Sequence, residues 1–215
     1  MAQAWSRSGM MSRVVISRVA AEAVRRHRVR WLVAAYVAVA CGTAGLIFAR
    51  PASDRLADLH VYWASARVVL QGDPLYGFQA GNGDPFTYPP FAALLFLPLG
   101  LLPEAVVGVV WTAATFVAFV LLARVVVTRW RPGRPADQAM WVWGCAIGLL
   151  VSAPGQSNVR FGQVSVFVVL LALIDAVGAV PARWRGVLIG VAAAIKLTPL
   201  LFIGHLVLTG RRRDA

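Results

Sequence analysis

WLVAAYVAVACGTAGLIFA, residues Trp31 to Ala49, is a run of nineteen residues without a charge. Coiled as a helix at about 1.5 Å per residue, it reaches about 28 Å, the depth of a bilayer's hydrocarbon core. Residues 1–30 before it hold Arg7, Arg13, Arg18, Arg25, Arg26, Arg28 and Arg30 against one acid, Glu22. A cleaved signal peptide fits less well, because the run is long and FARPAS offers no small-x-small cleavage site. The reading is a basic cytoplasmic N-terminus over 1–30 and a retained first transmembrane helix over 31–49.

The rest of the chain repeats this pattern. Of 215 residues, 59% are hydrophobic and 14% charged, against about a quarter charged in a soluble domain. Mean hydropathy is +0.70, and the apolar residues come in long blocks. The fold class is therefore all-α integral membrane, a multi-span helical bundle in the cell membrane. The net charge of +12 raises nucleic-acid binding, but the arginines flank the hydrophobic blocks, which is a membrane-orientation signal, so no nucleic acid is expected. Cys41 and Cys145 both fall inside apolar blocks and read as small core residues rather than a disulfide or metal pair.

Residues 50–87 follow the first span and are extracytoplasmic on this reading. They carry Asp54, Asp58, Asp73 and Asp84 against Arg50, Arg55 and Arg67. Within them, LHVYWASARVVLQG has Leu59, Tyr62, Trp63, Ala66, Val69 and Leu70 at helical spacing, with Gly72 as the stop. An amphipathic helix lying on the membrane surface is expected, its aromatics at headgroup level. GDPLYG and GNGDP are turn chemistry.

Residues 88–215 hold the remaining apolar segments. Tyr88–Pro103 is short and proline-punctuated. Ala105–Val127 is a full span with Arg129, Arg131 and Arg134 behind it, so 88–103 reads as an interfacial or re-entrant helix. A separate crossing there would leave a basic loop outside. A third span over Ala139–Ala153 leads to an extracytoplasmic loop, PGQSNVRFGQ, and a fourth over Val164–Val180 returns to PARWRG. The block Val187–Leu208 is either a re-entrant hairpin turning at KLTP or a single kinked span.

Two polar residues stand out. Asp58 opens the amphipathic helix, where a carboxylate either caps exposed N–H groups or faces a surface cavity as a general base. His60 is a candidate hydrogen-bond partner for it. Tyr62, Trp63, Tyr76 and Tyr88 are either headgroup anchors or platforms for sugar rings. Lys196 is the single lysine. Inside an apolar block it either snorkels to the interface or binds an anion, for which phosphate is the natural partner. No dinucleotide fingerprint, Walker loop, zinc spacing or Ser-His-Asp pattern is present.

DLHVYWASARVVLQGDPLY, FTYPPFAALLFLPLGLLP, GQVSVFVVLLALI and GVLIGVAAAIKLTPLLF, in that order, resemble the N-terminal half of glycosyltransferase family 87, of the GT-C superfamily. The resemblance implies an alpha-mannosyltransferase using polyprenyl-phosphate mannose as donor and a glycolipid or lipoglycan as acceptor, with membrane lipids around it. It implies an inverting transfer with Asp58 as catalytic base. Gln163 of the GQ pair and Lys196 of the KLTP element are implied on the substrate side, and His60, Tyr62 and Tyr88 join them from the reading of the loop above. No cofactor, nucleotide or metal is implied. Family members are longer, so the implied partners include a C-terminal half encoded separately; a truncated gene, a split gene and a two-chain enzyme all remain open. A polyprenyl-phosphate-binding or transport-related protein, or a structural subunit, competes with this reading. The carboxylate-rich first loop separates them, since a purely structural bundle has no need of it.

Overall fold

The computed structural model describes residues 2–51, 54–81, 83–131 and 133–210, with side chains in the first helix from residue 20 onward. The described residues are helical almost throughout. α1 (Ala2–Phe48) and α4 (Glu104–Trp130) contain stretches long and apolar enough to cross a membrane. Those stretches, 20–48 and 104–130, have mean hydropathies of 2.0 and 2.4.

α5 (Pro135–Val151) and α6 (Ala153–Phe161) bend by 68° and make a third crossing if counted as one span. The expected loop PGQSNVRFGQ is therefore helical over most of its length. Pro154 explains the break. Its ring would collide with the Leu150 carbonyl if α5 ran on. That carbonyl accepts instead from Gln156 Nε2 at 2.7 Å. Ser152, extended at φ −65° and ψ 151°, caps α6 by accepting from the Gly155 N–H at 3.1 Å.

The later segments are shorter than the sequence suggests. α7 (Ser165–Ala176) has 12 residues rather than the seventeen expected, about 18 Å of helix. α8 (Val187–Ile195) and α9 (Leu200–Leu208) have 9 residues each, about 14 Å. α7 and α8 form a hairpin closed by Asp175, which is 1% exposed. Its carboxylate accepts from the N–H groups of Gly186, Leu188 and Ile189 at 2.9, 2.9 and 3.1 Å. Three donors at the start of α8 that would otherwise be buried without partners are satisfied by one side chain.

One end of the bundle holds Arg25 and Arg131. Arg25 Nη1 of α1 donates to Asp137 Oδ2 of α5 at 3.0 Å. The Arg131 guanidinium, just past α4, lies 3.9 Å from the Trp141 ring centroid. Midway along the bundle, Tyr36 donates to the Phe116 carbonyl at 2.6 Å. Cys145 is half-buried and free, whereas Cys41 is exposed on the outside of α1, a departure from the core position expected of it.

At the other end, α2 (Ala57–Leu70) packs along α3 (Pro90–Gly100). The contact is close enough that a Cβ on Gly100 would lie 3.1 Å from the Arg67 nitrogen. α3, with 11 residues, is about 16 Å long, roughly half a hydrocarbon core. Leu59, Val61, Tyr62, Ser65 and Ala66 form the buried face of α2. Tyr62 is 0% exposed, stacked on Phe96 at 4.6 Å and tilted against Trp111 at 5.9 Å. It is thus a core residue of the α2–α3–α4 junction and not a headgroup anchor. Trp63 is half-buried, with Nε1 donating to the Leu102 carbonyl at 3.0 Å.

Candidate active site

The entry to α2 sets the site. Leu56 precedes the helix in the left-handed conformation, φ 52° and ψ 39°. A non-glycine residue there costs about 1–2 kcal/mol, so surrounding structure must hold it. Its N–H donates to the Arg160 carbonyl at the end of α6 at 2.9 Å, and its side chain is 6% exposed. α2 has no side-chain cap, so Asp58, in its first turn, is not occupied as one. Asp58 lies in the first turn of α2, where a negative charge also suits the helix N-terminus.

It meets Gln163. α6 ends at Gly162, which has φ +66°, and a Cβ there would lie 2.7 Å from the Leu59 Cβ. Glycine alone meets both demands, a left-handed backbone and contact between α6 and α2. The turn delivers two groups in succession. Gln163 comes beside the Asp58 carboxylate and the Val164 N–H beside the Tyr62 hydroxyl, each near enough to draw its neighbour's pKa down. Gly162→Ala should lower stability by about 1–2 kcal/mol from the backbone alone. It should also pull Gln163 away from Asp58. Thermal unfolding in detergent checks the first effect, and an unchanged midpoint would refute it.

Lys196 arrives from the far end of the chain. α8 stops at Ile195, and Lys196 is extended, φ −148° and ψ 129°. Pro199 enforces the stop, since its ring would clash with the Ile195 carbonyl in a continuous helix. Lys196 Nζ donates to Ser165 Oγ at 3.2 Å and lies 5.9 Å from the Tyr88 ring centroid. Tyr88 shares a 2.7 Å hydroxyl–hydroxyl hydrogen bond with Tyr62, and its carbonyl accepts from the Tyr76 hydroxyl at 3.0 Å. A cleft of about 550 Å³ opens here, lined by Tyr76, Thr87, Tyr88, Pro89, Lys196, Leu197 and Thr198.

The electrostatics follow from this packing. Burial pushes the Asp58 carboxyl above the ordinary range, while Gln163 and then Lys196 draw it down and Asp84 raises it. Burial likewise raises the Tyr62 and Tyr88 phenols, and the nearby Asp58 charge adds to both shifts. The two tyrosines thus stay protonated as neutral donors, beside a carboxylate that ionises later than usual. Among the described residues no group of three His, Cys, Asp or Glu side chains could hold a metal ion.

Of the residues singled out from sequence, the structure gathers Asp58, Tyr62, Tyr88, Gln163 and Lys196. Tyr62 sits beneath the site as a hydrogen-bonded support, its ring covered by Phe96 and Trp111, so it has no face left for a sugar. His60 is turned away. Two residues along a helix is a rotation of about 200°, and Nδ1 of His60 lies 2.8 Å from Glu104 Oε1 on the opposite side of α2. Ser165, two residues beyond Gln163, was not identified from sequence. A serine opening an apolar helix beside the GQ pair was its only signal.

A family model described as glycosyltransferase family 87 matches residues 86–215. That range holds Tyr88, Gln163, Ser165 and Lys196 and begins after Asp58. A polyprenol-phosphate-mannose-dependent alpha-(1-2)-phosphatidylinositol mannoside mannosyltransferase of Mycolicibacterium smegmatis is 34% identical over 176 residues, covering 73% of this chain and 39% of the relative. A protein of the same description from Mycobacterium tuberculosis is 33% identical, covering 73% and 40%. A phosphatidylinositol pentamannoside mannosyltransferase of M. smegmatis is 36% identical over 172 residues, covering 77% and 40%. The chain thus spans about two fifths of the length of these curated relatives. No solved structure gives a significant match.

Proposed function

The chain belongs to glycosyltransferase family 87, and from that premise we propose that it carries the base and the phosphate-binding cation of a mannosyl transfer. The donor is polyprenyl-phosphate mannose, and the acceptor is a glycolipid of the phosphatidylinositol mannoside kind or a related lipoglycan. Asp58 takes the proton of the acceptor hydroxyl as that oxygen bonds to the mannose C1. The C1–O bond to phosphate breaks on the opposite face of the sugar, and polyprenyl phosphate leaves with the electron pair. Gln163 orients the carboxylate, and Lys196 stabilises the charge that gathers on the leaving phosphate. Ser165 fixes the ammonium. The first turn of α7 opens beside it, and a helix N-terminus favours an anion. Tyr88 flanks the cleft.

The observation that carries this reading is the convergence of a half-buried carboxylate with Gln163 and Lys196, each delivered by a separate break between helices. It is tested in membranes containing the full chain, supplied with labelled polyprenyl-phosphate mannose and phosphatidylinositol mannoside acceptors. Label should pass to the acceptor. Donor binding without any transfer would favour the competing reading, a polyprenyl-phosphate-binding protein.

The site faces the extracytoplasmic side in this proposal, and the arginines gathered around Arg25, Arg129, Arg131 and Arg134 lie in the cytoplasm. Gln71→Cys and Gly133→Cys are made separately in a background of Cys41→Ala and Cys145→Ala. An impermeant thiol reagent on intact cells should label position 71 alone. Labelling at position 133 instead would invert the orientation.

A further inference from the structure

A second cleft, of about 430 Å³, lies between the end of α1 and α6. Leu46 and Ile47 make its apolar wall, Arg50 and Arg160 its charged rim, and Ser157 and Phe161 part of its α6 side. Among the described residues no carboxylate lines it.

These two arginines share one cleft. Arg25 and Arg26 are ion-paired. Arg55 donates to the Phe48 carbonyl at 3.2 Å, and the Arg67 and Arg131 guanidinium groups lie over tryptophan rings. Among the described residues no carboxylate pairs with Arg50 or Arg160. The Arg160 guanidinium lies 5.1 Å from the Phe161 ring centroid. Stacking of that kind leaves the in-plane N–H donors open to an anion. Two guanidinium groups on one cleft repel each other unless a negative charge comes between them. The level is also right. α6 turns 68° away from α5, and the cleft meets the last turn of the first span, where Leu46 is 73% exposed.

We propose that this cleft binds the phosphodiester of an anionic glycerophospholipid, with Arg50 and Arg160 on the phosphate and an acyl chain against Leu46. Arginine suits the group, since its fork of donors matches two phosphate oxygens at once. The site adjoins the segment that carries Gln163, so a bound lipid braces the junction of α2 and α6. Binding here requires neither donor nor transfer, and the inference stands or falls apart from the reaction proposed above.

The test uses the full chain purified in a neutral detergent and thermal unfolding with added lipid. Phosphatidylglycerol and phosphatidylinositol should raise the midpoint, and phosphatidylcholine and inorganic phosphate should not. The double variant Arg50→Gln/Arg160→Gln should need about 100-fold more anionic lipid for the same shift, at about tenfold for each charge-assisted contact. Arg67→Gln, on α2, should respond as the parent does. Arg50→Gln alone should require about tenfold more lipid; its position beyond α1 makes it the variant to use if the double one does not fold. A tenfold preference for phosphatidylinositol over phosphatidylglycerol would assign the cleft to an inositol lipid, and equal affinity to bulk anionic lipid. Equal stabilisation by phosphatidylcholine, or an unaltered lipid response in the arginine variants, would overturn the proposal.

Discussion

Asp58→Asn should abolish most transfer while leaving the protein folded. The substitution keeps the size of the side chain and removes its basicity. General-base assistance is typically worth about 10²–10⁴-fold, so turnover should fall at least about 100-fold. Stability should not fall with it. Burial is the leading influence on Asp58 and raises its pKa, so its ionised form is disfavoured in the folded protein. A raised folded pKa means the fold gains stability as the pH drops through that value, and a neutral Asn has the same advantage at neutral pH. The unfolding midpoint should therefore stay level or rise. No side-chain cap is lost, because α2 has none. Asp54→Asn is the control, expected to turn over normally. Equal turnover by Asp58→Asn and the parent would remove Asp58 from the chemistry.

Lys196→Met should act on two quantities at once. Loss of the ammonium should weaken donor binding by about tenfold or more, the worth of a charge-assisted contact to phosphate. It should also move the pH profile. A base works when deprotonated, so transfer declines as pH falls through the Asp58 pKa, and burial already sets that decline above the ordinary carboxylate range. Lys196 draws the pKa down; without it the decline should begin at higher pH. Lys196→Arg should restore the profile more fully than the affinity, since it keeps the charge but not the point geometry. A Met variant with parental affinity and pH profile would leave Lys196 as a residue that merely reaches for the interface.

The membrane class, α4, the helix over 57–70 and the apolar part of α1 were legible in the sequence, because long charge-free runs and a 3.6-residue period are local signals; that α1 runs back through the arginine-rich residues to Ala2 was not. The proline-bounded ends of α3, α6 and α9 were legible as interruptions. Their outcome was not, since a proline stops a helix without saying in which direction the next one leaves. That is why residues 154–161 read as a loop and prove helical. The candidate site shows the same division. Asp58 and Lys196 stood out by residue type alone. That they share a neighbourhood depends on Gly162, whose left-handed turn and contact with Leu59 belong to tertiary packing. Tyr62 was misplaced for a related reason: an aromatic on an amphipathic helix suits a headgroup layer as well as a core, until α3 covers it. His60 was paired with the wrong carboxylate because closeness along the sequence is not closeness around a helix.

The assembly of the site from distant segments also bears on how the protein is made. Asp58 is synthesised early and Lys196 late. At about 5–20 residues per second, on the order of ten seconds separates their appearance. Over that interval α1 can find α5 through Arg25 and Asp137, and α2 can settle on α3, while the carboxylate waits without its cation. Its microenvironment is completed only when the break after α8 arrives. A nascent chain stalled before residue 187 would hold the early helices in place around an Asp58 that lacks the Lys196 charge drawing its pKa down.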